Sequence, residues 1–133
     1  MSLEKGLKGL ARFVVTAGDT AVSQGSGAVP VLATPRLLAL MERAAVAALD
    51  GRLPEGQTSV GTRVELEHCA ASPVGMELEA TAELTEVDGR RLVFAVEARD
   101  NVEVVGRGRH ERFVIDASRF LARVEQKKVN SVR

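Results

Sequence analysis

Residues 34–49 read TPRLLALMERAAVAAL, and this stretch has the pattern of an amphipathic α-helix. Thr34 is a good N-cap residue, and Pro35 would then occupy the first helical position, where its missing N–H costs no hydrogen bond. Gly51 and Pro54 mark the end of the pattern. The apolar residues that recur at helical spacing are Leu37, Leu38, Leu40, Met41, Ala44, Ala45, Ala48 and Leu49. We therefore expect one long helix with an apolar face.

The residues that follow alternate between apolar and polar with the period of two that is typical of β-strands. Strict alternation over 60–68 predicts one face made of Val60, Thr62, Val64, Leu66 and His68. The residues between them, Gly61 included, are predicted to lie on the opposite face. Since the first set is the more apolar one, we expect the helix to pack on it.

Three more strands are predicted from the same alternation, over 76–87, 92–98 and 102–115. Asp88-Gly89, which lies between the first two of these, is a strong hairpin signal. A sheet with one apolar face needs a cover, and the chain has one long apolar helix to provide it. An antiparallel sheet wrapped around a central helix is the hotdog fold, an α+β architecture. We expect a single domain of this kind over residues 1–133.

The remaining segments are short. A brief β-like run is expected over 12–16. Residues 17–30 are rich in Gly, Ser and Ala, which predicts a loop or lid before the helix. Residues 116–124 fit either a short helix or an extension, and 125–133 are expected to form a flexible, solvated tail.

Composition excludes several classes of function. The 133 residues carry no net charge, so nothing attracts the protein broadly to nucleic acid or to an anionic membrane. No apolar run reaches the roughly 18 residues of a membrane span. Cys69 is the only cysteine, which rules out an intramolecular disulfide and is compatible with a cytoplasmic protein. The two histidines and one cysteine lack metal-ligand spacing, so we expect no metal and no cofactor.

Three polar residues stand where chemistry is expected. Thr34 begins the helix, Glu42 interrupts its apolar row, and His68 ends the apolar face of a strand. If the helix packs on that face, Glu42 and His68 can approach each other, and a carboxylate beside an imidazole offers base or nucleophile chemistry near neutral pH. Thr34 and Glu42 are eight positions apart. Contact between them requires either a folded-back segment or a partner chain.

Each candidate also has a purely structural interpretation. Thr34 could be only a helix cap, and Glu42 could pair with a neighbour such as Arg43 or lie in solvent at the edge of the apolar face. For His68, a core histidine with satisfied hydrogen bonds is the default. Strand alternation places Cys69 on the opposite face from His68, which argues against a Cys–His nucleophile pair. His110 follows an arginine-rich run and is expected to be exposed.

Several stretches resemble the fluoroacetyl-CoA thioesterase-like hotdog family. They are Val31–Glu42 at the start of the helix, Ser59–Thr62, Glu67–Pro73, the hairpin Ala82–Leu92, and His110–Arg112 in the last strand. Together they cover roughly residues 30–128. The resemblance rests on the spacing of the threonine, glutamate and histidine along the chain rather than on one short motif.

The resemblance implies that Thr34, Glu42 and His68 form the catalytic set. It further implies that Gly61 and Arg112 bind the substrate, with the Gly61 N–H beside the thioester carbonyl, and that the site lies at the interface of a homodimer. One departure concerns the lid: fluoroacetyl-selective members carry bulky aromatic residues there, whereas residues 22–30 read VSQGSGAVP. We therefore expect thioesterase chemistry without fluoroacetyl selectivity.

Three functions fit these expectations. The first is an acyl-CoA thioesterase, which needs a nucleophile or activated water, a proton carrier and a donor to the developing oxyanion. The second is a non-catalytic protein that binds acyl-CoA or another small molecule on the same fold. The third, a hotdog hydratase, lacks a recognisable motif here. Retention of all three polar residues favours the enzyme, because a pure binder could lose any of them.

Overall fold

The computed structural model describes residues 3–132. Its elements follow the chain as β1 (Lys8–Val14), a 3-10 turn (Ala17–Asp19), α1 (Ala21–Gln24), α2 (Thr34–Ala48), β2 (Gln57–His68), β3 (Glu77–Asp88), β4 (Arg91–Arg99), β5 (Val104–Asp116) and α3 (Ala117–Ser131). The five strands form one antiparallel sheet in the order β1-β3-β4-β5-β2. β2 therefore lies at one edge of the sheet, beside β5 and far from its sequence neighbour β3.

The central helix α2 packs its apolar face against this sheet, as the pattern of residues 34–49 predicts. Its buried residues are Leu37, Leu40, Met41, Ala44, Ala45 and Ala48. They share one core with sheet residues that include Leu78, Leu84, Leu92 and Phe94. Gly9 lets β1 come close, because a side chain there would collide with the α2 backbone at Ala44 and Ala48. The expected hotdog arrangement is confirmed.

The helix starts one residue earlier than predicted. Ala33 is the N-cap, with extended backbone angles and no side-chain capping bond, so Thr34 is the first helical residue rather than the cap. Pro35 still falls in the first turn, where no N–H is needed. Freed from capping, the Thr34 hydroxyl is available for another partner.

A β-bulge in β2 overturns the predicted face assignment. The pairing of β2 with β5 shifts between Gly61 and Arg63, and such an extra residue reverses which face the following side chains take. Val64 and His68 pair with His110 and Gly106 on the helix side, as expected. Val60 instead pairs with Phe113, which is exposed on the outer face.

Gly61 changes sides as a result of the same bulge. Gly61 pairs with the buried Arg112 and faces the helix. The strict alternation was therefore right after the bulge and wrong before it. Before the bulge, Val60, predicted on the helix side, lies on the outer face, and Gly61, predicted on the opposite face, lies on the helix side.

The ends and connections also differ in part from expectation. Asp88 pairs with Arg91, so the hairpin turn is formed by Gly89 and Arg90, one residue later than predicted. The expected tail over 125–133 instead continues α3 as far as Ser131; Arg133 lies outside the described residues. None of the helices within residues 3–132 is long and apolar enough to cross a membrane.

The segment expected to be a lid is built from the 3-10 turn and α1, with an extended stretch after them. Thr20 pairs with Leu32, and the Ala33 N–H donates to the carbonyl of Asp19. An ion pair of 2.9 Å joins the Asp19 carboxylate to Arg36 on α2. Residues 17–30 are thereby tied to the start of the central helix.

Candidate active site

Thr34 and His68 lie in direct contact at one end of the sheet. The Thr34 Oγ1 is 2.7 Å from Nδ1 of His68, a short hydrogen bond that joins the first turn of α2 to the last residue of β2. This pair forms part of the wall of a pocket beneath the lid. The pocket is otherwise lined mainly by small and aliphatic residues, among them Ser26, Gly27, Val29, Val31, Ala70 and Ala71.

The other nitrogen of His68 is shielded and has no hydrogen-bond partner among residues 3–132. A buried polar atom without a partner is costly, and such an atom often marks a functional site. Burial lowers the pKa of His68 below its ordinary value of 6.5, and the Ala70 backbone opposes this only in part. The imidazole is therefore neutral at physiological pH, and its Nε2 is free to exchange a proton with a bound molecule.

Glu42 belongs to a second cluster further along α2. Its Oε2 is 3.5 Å from Nη1 of Arg112 and 3.8 Å from Nε2 of His110. The Glu42 side chain is 36% exposed, whereas that of Arg112 is 7% exposed. Gly61 lies against the carboxylate, and a Cβ placed there would be 2.5 Å from Oε2. The absence of a side chain at Gly61 makes room for the Glu42 carboxylate.

Arg112 is held by neutral acceptors on both sides. Its Nε donates to the Ser59 hydroxyl at 2.8 Å, its Nη2 donates to the Ser59 carbonyl at 3.1 Å, and its Nη1 donates to Nε2 of His110 at 3.0 Å. Burial lowers the pKa of Arg112, while Glu42 opposes this shift. Arg112, which the resemblance assigns to substrate binding, thus has most of its N–H groups engaged within its own chain.

His110 was missed by the sequence analysis, which expected it to be exposed. It is 1% exposed and faces the helix. Its Nδ1 is 3.0 Å from the Arg63 carbonyl, which can only accept, so Nδ1 carries the proton and Nε2 accepts from Arg112. Burial, together with the charge of Arg112, lowers the pKa of His110 and keeps it neutral. In a strand, residues two and four positions before Val114 share its face. Alternation from the apolar Val114 would therefore have placed Arg112 and His110 on the inner face.

The structure therefore brings the predicted residues together in two groups rather than one. Thr34 pairs with His68, and Glu42 lies with Gly61 and Arg112. Thr34 and Glu42 are eight positions apart, which spans about 12 Å of helix at the usual rise per residue. The polar contacts of Glu42 within residues 3–132 are with Arg112 and His110, not with His68. The expected approach of Glu42 to His68 does not occur within one chain.

No group of three or more potential ligands within residues 3–132 has the geometry of a metal site. Cys69 is exposed, and its thiol lies 3.9 Å from the carbonyl of Val104. The chemistry available to the site is thus that of a carboxylate, two neutral imidazoles, a hydroxyl and a buried guanidinium.

Comparison with known proteins places this chain in one family. The family model of FlK, the fluoroacetyl-CoA-specific thioesterase, matches residues 15–118. The fluoroacetyl-CoA thioesterase of Streptantibioticus cattleyicolor is 45% identical over 97 residues, which cover 73% of this chain and 70% of that protein. The residues matched by the family model include the two clusters described above.

Solved structures agree. A crystal structure of a mutant of FlK superimposes with a TM-score of 0.89 at 38% identity, covering 96% of this chain and 98% of that one. A thioesterase superfamily member from Thermus thermophilus gives a TM-score of 0.89 at 26% identity, over 96% of this chain and 94% of that one. The chain belongs to the FlK family of hotdog-fold thioesterases, and it is a thioester hydrolase.

Proposed function

We propose that the protein hydrolyses short acyl-CoA thioesters in a site completed by two copies of the chain. Thr34 and His68 of one protomer would face Glu42, Gly61 and Arg112 of its partner. The observation that carries this proposal is the division of the site residues into two clusters, each of which lacks what the other supplies. One cluster holds a proton carrier without a carboxylate, and the other holds a carboxylate beside an imidazole that is already fully engaged.

The position of β2 supports a two-fold arrangement. This strand is 12 residues long and lies at the edge of the sheet, where its outer backbone groups are unpaired within the five strands. Natural proteins rarely leave so long an edge uncovered. Pairing of β2 with its copy across a two-fold axis would extend the sheet through both protomers and would satisfy those groups.

The spacing of the two clusters along β2 suggests a register for this pairing. In an antiparallel pair related by a two-fold axis, positions equally far from the axis are opposed and lie on the same face. The bulge takes Thr62 out of the ladder, so an axis through Glu65 sets Gly61 opposite His68 of the partner subunit. The same axis brings the Glu42 carboxylate, which contacts Gly61, towards the partner's pocket beneath the lid. Both copies of the site would then be complete.

The chemistry of such a site follows from its groups. Glu42 attacks the thioester carbonyl or activates the water that does so, while the Gly61 N–H donates to the developing oxyanion. The C–S bond breaks, the CoA sulfur takes up a proton, and the acyl group leaves as the acid with an oxygen derived from water. His68 carries the proton through its free Nε2, and Thr34 fixes the orientation of the imidazole.

The lining of the pocket beneath the lid supports a short acyl group in the substrate. Its lining beside Thr34 and His68 is made of small and aliphatic side chains, with no aromatic residue. A pocket of this kind separates acyl groups that differ by one methylene by only about 1–3 kcal/mol. We therefore propose that the enzyme accepts several short acyl groups and does not strongly prefer fluoroacetyl over acetyl.

Two inactive variants provide the test of the shared site. His68→Ala lacks the proton carrier and Glu42→Gln lacks the carboxylate, so each alone should hydrolyse acyl-CoA poorly in an assay of free-thiol release. After unfolding and refolding as an equal mixture, half of the dimers should be mixed and carry one intact site, which restores about a quarter of wild-type turnover. Recovery of no activity by a mixture that sedimentation shows to be dimeric would place the site within one chain.

A further inference from the structure

We propose that His110 is a positioning residue that holds the Arg112 guanidinium back from a full ion pair with Glu42. This inference rests on the proposed function, because it concerns the reactivity of the Glu42 carboxylate. The imidazole acts through Arg112 and does not touch the reacting atoms.

The first support is the direction of the hydrogen bonds. The Arg63 carbonyl accepts from Nδ1 of His110, which leaves Nε2 as an acceptor, and Nη1 of Arg112 donates to it at 3.0 Å. Ser59 accepts from Nε and Nη2 on the opposite side of the guanidinium. The arginine is therefore held between neutral acceptors that belong to two residues, His110 and Ser59.

The second support is the distance that remains to the carboxylate. Charge-assisted bonds between arginine and a carboxylate are usually about 2.7–2.9 Å long and are often bidentate. Here a single contact of 3.5 Å joins Nη1 of Arg112 to Oε2 of Glu42. The contact is long because Nη1 is shared with His110. A carboxylate engaged this weakly keeps its lone pairs for a substrate or a water molecule, whereas a bidentate pair would occupy them.

The alternative is a purely structural role, in which His110 only fills space in the core. It is almost fully buried, and its ring lies 6.4 Å from that of Phe94. Either role predicts that loss of the imidazole costs stability. Only the positioning role predicts that the result depends on which of the two nitrogens is replaced.

Two amide variants separate these roles. In His110→Gln the amide reaches the place of Nε2 and can offer an oxygen to Arg112. In His110→Asn the shorter amide reaches only the place of Nδ1, so it retains a donor to Arg63 and lacks the acceptor for Arg112. Both replace a buried ring with an amide and should lose similar packing.

The expected result is a split between the variants in kcat rather than in KM. His110→Gln should keep kcat within about threefold of wild type, whereas His110→Asn should lose about 10-fold or more with KM nearly unchanged, as misplacement of a reacting group predicts. Equal loss in both variants, in proportion to their loss of thermal stability, would overturn the proposal. So would a folded His110→Asn protein with wild-type kcat.

A structural readout keeps this test independent of hydrolysis. A crystal structure of His110→Asn should show Arg112 moved towards Glu42, with at least one N–O distance below about 3 Å. Nitrogen NMR of the wild-type imidazole should show the proton on Nδ1. An unmoved Arg112 or a proton on Nε2 would refute the role of His110 even in an active enzyme. Absence of thioester hydrolysis by the wild type would instead refute the proposed function.

Discussion

Substitution of Gly61 by alanine should impair catalysis while leaving the fold intact. A Cβ at this position would lie 2.5 Å from Oε2 of Glu42, 3.1 Å from Cε1 of His110 and 3.4 Å from Nη1 of Arg112. An ordinary carbon–oxygen contact is about 3.3 Å or longer, so the carboxylate must retreat by about 0.8 Å. The other two atoms belong to buried, hydrogen-bonded side chains, and the flexible end of Glu42 will therefore make most of the adjustment.

A displacement of this size has a large expected effect on rate. Misplacing a reacting group by about 1 Å can cost about 100-fold, which corresponds to about 2.7 kcal/mol of activation free energy. The effect on stability should be small or even favourable. Gly61 is not among the glycines with positive φ, and alanine in an extended strand loses about 0.5–1 kcal/mol less backbone entropy than glycine on folding.

The assay is the release of free CoA thiol at saturating substrate, together with thermal unfolding and sedimentation of the same protein. Gly18→Ala is the matched control, because the nearest atom to its new Cβ is 3.9 Å away, and it should behave as wild type. The reasoning fails if folded, dimeric Gly61→Ala turns over within about twofold of wild type. Dissociation of the dimer that we propose would instead show that the new methyl group acts on its interface.

The remaining predictions concern charge, proton transfer and acyl selectivity. Glu42→Gln keeps the shape of the side chain and should leave thermal stability and the proposed dimer nearly unchanged while removing most hydrolysis; near-normal turnover would make the carboxylate structural. His68→Ala should lower turnover by about 10² or more, and unchanged turnover in a folded protein would remove His68 from the mechanism. Burial lowers the pKa of His110 below 6.5, so between that lowered value and 6.5 the unfolded chain binds more protons. The contribution of His110 to the free energy of unfolding should therefore be complete above pH 6.5 and should fall as the pH is lowered through this window. Urea titrations should show a smaller loss of stability between pH 7 and pH 5 for His110→Gln than for the wild type. Finally, kcat/KM for fluoroacetyl-CoA and acetyl-CoA should be similar, and a large preference for the fluorinated substrate would refute the argument from the lid.

The fold could be predicted because its signals are local. Helical spacing over 34–49 and alternation over 76–98 follow from contacts between near neighbours, and both elements were recognised with boundaries close to those observed. The order of the strands could not be predicted in the same way. The pairing of β2 with β5 joins residues that are far apart in the sequence, and it depends on how the whole sheet closes around α2.

The sequence singled out candidate site residues but did not predict how the structure groups them. Thr34, Glu42 and His68 each stood out as polar residues in apolar or terminal positions. Their division into two clusters depends on the bulge at 61–63 and on the helical distance between Thr34 and Glu42, neither of which local alternation reveals. His110 was missed because the arginines before it suggested an exposed run, although they point outwards from the same strand.

The bulge in β2 has a consequence for how such enzymes tolerate change in chain length. The strand gains one residue between Gly61 and Arg63. Gly61 and His68, one from each cluster, therefore both face the helix because of the number of residues between them and not because of any one side chain. Deleting Thr62 would remove the bulge and leave both Gly61 and His68 on the helix side. A regular β2 that kept all its residues would instead turn one of the two away from the helix, because they are seven positions apart. Loss of the bulge without a deletion would then yield a more regular sheet and an inert protein, so selection for hydrolysis would preserve an imperfection that selection for stability alone would remove.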